Sequence, residues 1–318
     1  MLGIGLYSRF RAFKERFHPS DTEDIIAMPE TQAAPKYLSK SSPGQTRTFS
    51  IPISSSASKS IPRKDGPSDS KQEEKSVQIN ITELALSADN LSHETWASSY
   101  ILASLIHRLN INFSNTPTTG PSQRIVIPVV ELGAGTGLVG LTAATCWDQK
   151  VVLTDLSPIV PGLRANVDVN TTLLDSVGDK GVTVECGTLD WVRPDQLLIP
   201  AGDASSNEKD EVFDLSSTKA HVLLAADTCY STEHPRLLSG VILKWLHRHP
   251  DARVVLGTAL RVAYLEEITE LWNRLEEGGM EVAAQGQEEA REQDFDDERL
   301  VEWSLWRWKT SSLTVSDE

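Results

Sequence analysis

The chain has 318 residues, with 39% apolar residues and a formal charge of −15, enough for one large domain or two small ones, with a share of chain that is expected to stay unstructured. The charge is uneven: residues 1–75 hold 12 Lys/Arg against 9 Asp/Glu, while the remainder holds 18 against 36, a net −18. An acidic body disfavours nonspecific nucleic-acid binding, which needs cations against phosphate, and suits a basic protein partner. Three widely spaced cysteines, with no CxxC, argue against a disulfide framework and for a reducing compartment. No apolar run approaches the ~20 residues of a membrane helix, and the seven histidines show no metal-ligand spacing.

Residues 1–45 open with "MLGIGLYSRFRAFKERF", a basic amphipathic stretch without the apolar core and cleavage site of a signal peptide. A solvated helix is the simpler reading, and the segment is left unassigned. Next, "RTFSIPI" and "VQINITE" alternate in strand fashion and are expected to pair as a hairpin within residues 46–94. The Ser/Pro/Lys-rich stretch between them, 54–76, has too little apolar surface to offset ordering entropy and is expected to be a disordered insertion. "ETWASSYILASLIHRL" has helical spacing, with Thr95 or Ser92 able to cap it.

From Ile125 onward strands and helices alternate. "RIVIPVVEL", "KVVLTDL", "GVTVECGTLDW", "AHVLLAAD" and "ARVVLGTAL" read as strands. "LVGLTAATCW", "PIVPGLRANVDVNTTLL", "EHPRLLSGVILKWLHRH" and "AYLEEITELWNRLEEGG" read as helices, and "ASSNEKDEVFDLSSTK" as a polar loop. "MEVAAQ" and "LVEWSLWRW" follow with no helix between them, so a terminal antiparallel hairpin is expected, joined by the acidic run 286–302 as a solvated loop. The alternation predicts a doubly wound α/β, Rossmann-like domain over 95–310, with a short tail at 311–318.

Four constellations carry chemistry. The first is "ELGAGTG", Glu131 to Gly137, between an apolar strand and a helix. Gly135, Gly137 and Gly140 satisfy the dinucleotide pattern G-x-G-x-x-G. Glu131 with Gly133, Gly135 and Gly137 satisfies instead E-x-G-x-G-x-G, the pattern of enzymes that use S-adenosylmethionine (AdoMet). A carboxylate beside a pyrophosphate is unfavourable, whereas AdoMet carries a cationic amine and sulfonium, so Glu131 tilts the reading toward AdoMet. The second is Asp155, ending the next strand, where an acid binds ribose hydroxyls in either cofactor reading or caps the helix after Pro158. The third is Trp191 in "TLDW", able to stack on an adenine or simply to pack; Trp96 shares the ambiguity. The fourth is "AADTCY", Ala225 to Tyr230, at the mouth of the fourth parallel strand, where open sheets bind ligands. The following helix has Ser231 or Thr232 as better-placed caps, which leaves Asp227 for the pocket. Cys229 with His234 or His221 has no oxyanion arrangement around it and reads as filler.

Together, "ELGAGTG", Asp155, "LDW" and "ADTCY" resemble methyltransferase family 16, the seven-β-strand protein-lysine N-methyltransferases. "TWASSYILA" and "YSTEHPRLL" are similar to wording in fungal members that modify translation elongation factors. The resemblance covers about 77–310 and implies a seven-stranded sheet with a terminal antiparallel hairpin and a protein lysine as methyl acceptor. No membrane is expected, and the expected setting is a cytoplasmic monomer with the nucleus left open. It implies AdoMet contacts from Trp96, Glu131, the loop Gly133, Ala134, Gly135, Thr136 and Gly137, Asp155, Trp191 and Ala226, with Glu131 at the methionine end. It places Asp227 and Tyr230 before the incoming lysine. Two other readings stay open, a methyltransferase for a nucleic-acid or small-molecule amine and a non-catalytic AdoMet-binding protein. Base-amine enzymes carry two prolines where this chain has Thr228-Cys229, and its acidic body repels phosphates.

Overall fold

A computed structural model describes residues 45–53, 75–83, 87–88, 91–92, 94–114, 125–201, 209–291, 295 and 299–313. The expectations for residues 1–44 and for the 54–74 part of the insertion lie outside the described residues.

Strands β1 (Thr46–Pro52) and β2 (Ser76–Thr82) pair antiparallel, as their alternation predicts. Phe49, Ile51, Val77, Ile79 and Ile81 face the main core, and the outer face is a polar ladder: Thr46 meets Thr82 at 2.9 Å, Thr48 donates to Asn80 at 2.8 Å and Gln78 to Ser50 at 3.0 Å. A two-residue ladder, β3 (Ser87–Ala88) with β4 (Leu91–Ser92), follows. Helix α1 (Ala97–Leu105) begins without a side-chain cap; the Thr95 hydroxyl, expected to cap it, bonds to Thr136 instead.

The main body then alternates: β5 (Ile125–Leu132), α2 (Leu138–Trp147), β6 (Val151–Asp155), α3 (Val160–Asp168), α4 (Thr171–Asp175), β7 (Val184–Thr188), β8 (Gln196–Ile199), β9 (Glu211–Asp214), β10 (Thr218–Ala226), α5 (His234–Trp245), β11 (Arg253–Ala259), α6 (Leu265–Glu277), β12 (Met280–Glu289), β13 (Leu300–Trp308) and α7 (Thr310–Leu313). The sheet order is β12-β13-β11-β10-β5-β6-β7-β8-β9, a Rossmann-like open sheet. Its five central strands, β11, β10, β5, β6 and β7, are parallel, and all but β7 are almost wholly buried, because the crossover helices and α1 cover both faces. The first helix after each of β5, β6 and β10 packs its apolar residues against the sheet; each fully enclosed Leu, Ile or Val contributes about 1.5–3 kcal/mol. The chain order reverses between β5 and β10, which opens a crevice at their carboxyl ends.

Three features depart from the sequence reading. First, the expected seven-strand frame, β7-β6-β5-β10-β11-β13-β12, is extended at one edge by the antiparallel pair β8 and β9, and β9 lies in what reads as polar loop. Second, the helix expected from Pro158 to Leu174 is two helices, broken at Val169–Asn170, where the Asn170 side chain turns to strand β2. Third, the acidic run is not all loop, since β12 extends through Glu289. The terminal hairpin forms as expected, with β13 inserted antiparallel between β12 and β11. No helix among the described residues is long and apolar enough to cross a membrane.

Candidate active site

Strand β5 delivers the chain to a loop in which Gly133, Gly135 and Gly137 all take positive φ, at 62°, 55° and 83°. At Gly133 space is tight as well, because a Cβ there would lie 3.0 Å from Thr228 Cγ2 and 3.2 Å from Trp191 Cζ2. The loop is fixed from β6: Ala134 N–H donates to the Thr154 carbonyl at 2.9 Å, and Gly135 N–H donates to Asp155 Oδ2 at 2.8 Å. Asp155 Oδ1 accepts the Leu156 N–H at 2.7 Å, so this acid organises the loop rather than capping α3. Burial pushes its carboxyl above the usual carboxylate range, opposed by those two N–H donors.

Glu131 lies beneath the loop. It is buried, and its Oε2 accepts the Gly140 N–H at 2.8 Å. Burial pushes its pKa up to about 8, with the Gly140 bond working against the rise and the Asp155 charge adding to it. A Cβ at Gly140 would meet Leu153 and the Glu131 carboxylate. Gly140 therefore serves the packing of α2 against β5 and β6, which accounts for the G-x-G-x-x-G spacing without a pyrophosphate.

Around the loop opens a cleft of about 310 Å³, within the size range of small-ligand sites. Of the residues expected at the site, Trp96, Gly133, Ala134, Gly135, Thr136, Asp155, Trp191, Ala226, Asp227 and Tyr230 line it, and Glu131 and Gly137 do not. Asp155 and Trp191 line it beside the loop, a carboxylate and an indole. Ala226, Asp227 and Tyr230 stand at the end of β10. A carboxylate, an indole and a glycine loop along one cleft are groups whose chemistry fits an adenosine with an attached amino acid.

The end of the cleft at β10 differs from expectation in one respect. Asp227 is not an isolated carboxylate: Arg261 Nη1 and Nη2 donate to its Oδ1 and Oδ2 at 2.6 and 2.7 Å. Asp227 sits at φ 56°, a left-handed conformation, with its N–H donated to the Gly257 carbonyl at 2.8 Å. The Arg261 guanidinium also lies 5.3 Å from the centre of the Trp96 ring, so it links Asp227 to Trp96, two residues that line the cleft. His234 forms a second join. Its Nδ1 accepts the Tyr230 N–H at 3.3 Å, its ring meets Tyr230 edge-on at 4.4 Å, and it meets Trp191 at 5.9 Å.

Sequence reasoning did not assign Arg261 to the site or His234 to this role. The available signal was positional: Arg261 follows the fifth parallel strand by two residues, and His234 opens the helix after "ADTCY". Cys229 is buried, and desolvation pushes its thiol up to about 12, so it supplies no thiolate. Among the described residues no group of His, Cys, Asp and Glu is arranged to hold a metal ion.

The profile of the family described as lysine methyltransferase matches residues 73–267. Protein-lysine N-methyltransferase EFM2 of Saccharomyces cerevisiae is 33% identical over 237 residues, which cover 72% of this chain and 50% of that protein. Protein-lysine N-methyltransferase rrg1 of Schizosaccharomyces pombe is 30% identical over 234 residues, 73% of this chain and 67% of that protein. The matched region thus spans half of the first relative and two thirds of the second. Among solved structures, magnesium protoporphyrin IX methyltransferase (ChlM) from Synechocystis PCC 6803 with bound SAM is similar at a TM-score of 0.41 and 16% identity, over 67% of this chain and 80% of that one.

Proposed function

The chain belongs to the lysine methyltransferase family, and from that premise we propose that it transfers a methyl group from AdoMet to a lysine side chain of a protein. One observation supports this most directly. A single cleft joins a nucleoside-type end, Asp155 and Trp191 around the glycine loop, to an acceptor end, Asp227 and Tyr230.

Bound in this cleft, AdoMet would supply a methyl group activated by its sulfonium. What the protein's residues contribute is orientation and exclusion of water. A lysine ammonium has no lone pair and must first lose a proton, against an ordinary pKa of about 10.4. A partly apolar, aromatic-edged passage disfavours the charged form. Because Arg261 balances Asp227, this acid attracts the incoming cation less than a lone carboxylate would; its role is to accept a hydrogen bond from the amine and align it. Tyr230, held by His234, narrows the passage. The amine that Asp227 aligns, its ammonium proton already passed to water, would take the methyl group that AdoMet supplies, with S-adenosylhomocysteine as the leaving product.

The finer reading places the acceptor on a translation elongation factor or another cytosolic protein, met by this chain as a cytoplasmic monomer. It rests on the "TWASSYILA" and "YSTEHPRLL" wording. Incubation with methyl-labelled AdoMet and a cell lysate should label a protein at lysine. Label confined to RNA or to a small metabolite would sink this reading. Asp227→Ala and Tyr230→Phe should slow labelling at least tenfold with AdoMet binding retained; unchanged turnover in Asp227→Ala would remove that residue from the mechanism.

A further inference from the structure

Five residues close a ring of hydrogen bonds beside the cleft. Thr82 N–H donates to Asn166 Oδ1 at 2.8 Å, and Asn166 Nδ2 donates to the Thr136 carbonyl at 3.0 Å. The Thr136 and Thr95 hydroxyls lie 3.0 Å apart, and Thr95 N–H donates to Glu83 Oε1 at 3.0 Å. Glu83 follows Thr82 in the chain, which completes the circuit. Glu83, Thr95, Thr136 and Asn166 are all buried. Polar groups placed so deep are costly unless satisfied, and a satisfied network holds its members in one arrangement.

The ring connects four separate pieces: hairpin strand β2, helix α3, the glycine loop and the segment that leads into α1. Two of its members bear on the cleft. Thr136 lines it, and Thr95 carries its neighbour Trp96 into it. Four residues beyond Asn166, Asn170 adds a second clamp. Its Oδ1 accepts the Asn80 N–H at 2.9 Å and its Nδ2 donates to the Asn80 carbonyl at 2.7 Å, so a side-chain amide takes the place of a neighbouring strand along β2. Asn170 does not line the cleft, and its side-chain hydrogen bonds go to Asn80 and to the Asn166 carbonyl.

We propose that the β1–β2 hairpin is a clasp on the cofactor loop, with Asn166 as its positioning residue, so that docking of the hairpin and binding of AdoMet reinforce each other. The idea rests on the AdoMet reading of the cleft. Coupling between two sites is reciprocal. If the docked hairpin fixes Thr136 and Trp96 for the ligand, then the ligand must strengthen hairpin docking. It must do so at Asn80 and Thr82, two residues that do not line the cleft.

The test starts with the wild-type protein. AdoMet affinity is measured by calorimetry, and hydrogen exchange over residues 76–83 is followed with and without saturating AdoMet. Exchange at the Asn80 and Thr82 amides should slow by about tenfold, within the usual range of coupling. Asn170→Ala should weaken AdoMet binding about tenfold although Asn170 does not line the cleft, by the same reciprocity. Asn166→Asp, which keeps the acceptor for Thr82 N–H and removes the donor to the Thr136 carbonyl, should weaken it as well. Failure of the wild type to bind AdoMet would sink the cofactor reading and the clasp with it. AdoMet binding with unchanged exchange in β2, or an Asn170→Ala protein that melts earlier yet binds AdoMet as the wild type does, would overturn the clasp alone.

Discussion

Asp227 and Arg261 have side chains only 5% and 12% exposed, so their charges are largely withdrawn from water and each depends on the other. Removing one partner of such a pair leaves a stranded charge and costs about 3–5 kcal/mol, whereas removing both costs far less. Arg261→Met should therefore lower the unfolding free energy by about 3 kcal/mol, and Asp227→Asn combined with Arg261→Met should recover most of that loss, as read from urea denaturation of the four proteins in a double-mutant cycle. Strict additivity would mean that the two side chains do not depend on each other. Glu131 makes a different case. Its native pKa is raised from 4.5 to about 8. Between those values the folded state holds a proton that the unfolded state has lost. Its contribution is fully present below the unfolded value and is lost as pH rises through the folded one. Glu131→Gln keeps an oxygen for the Gly140 N–H and carries no charge to desolvate. It should melt a few degrees above the parent at pH 8–9, with the difference shrinking toward pH 5; a constant difference across that range would show that Glu131 does not titrate this way.

At the scale of elements, the glycine loop is the piece with least freedom to change. Gly133→Ala would place a Cβ in a left-handed conformation, at about 1–2 kcal/mol, and press it against Thr228 and Trp191. AdoMet affinity should fall at least tenfold by calorimetry, because Trp191 must shift to admit the methyl group; retained affinity would show that the Trp191 position does not matter to binding. The same elements show what the sequence makes legible. Parallel strands covered on both faces read as unbroken apolar runs, so β5, β6, β10 and β11 stand out, and the glycine loop and Asp155 stand out with them. Strands β8 and β9 are four residues each at one end of the sheet; the apolar run of β8, QLLI, is too short to stand out before Pro200, and β9, EVFD, lies within a polar stretch. The break between α3 and α4 is set by Asn170 bonding to a strand 90 residues away, which no local periodicity records. Arg261 was hidden for the same reason, since its partner lies 34 residues upstream and only the folded sheet brings the ends of β10 and β11 together.

For the molecule as a whole, the three thiols offer a measure of how the fold opens. All are free. Cys186 in β7 and Cys229 after β10 are buried, and Cys146 in α2 is half-buried. Desolvation pushes their pKa values to about 12, 12 and 11, so the reactive thiolate is scarce at pH 8 in the folded state. A disulfide reagent at pH 8 should react slowly with native protein and with three thiols in denaturant, and a reducing agent should leave the melting temperature unchanged. The informative step is to add AdoMet. A ligand that binds only the folded state stabilises it by about 2.7 kcal/mol at a hundredfold excess over its dissociation constant, so labelling that passes through global unfolding should slow about a hundredfold. Cys186 lies in a central strand of the sheet and should show that full factor. Cys229 stands two residues from Asp227 in the loop that lines the cleft, where opening needs less of the fold to come apart. If that loop opens locally without releasing AdoMet, Cys229 labelling slows less than that of Cys186. Equal factors would mean that the acceptor loop, the glycine loop and the central sheet open as one unit, and that access to the acceptor end is not gained by movement of this loop alone.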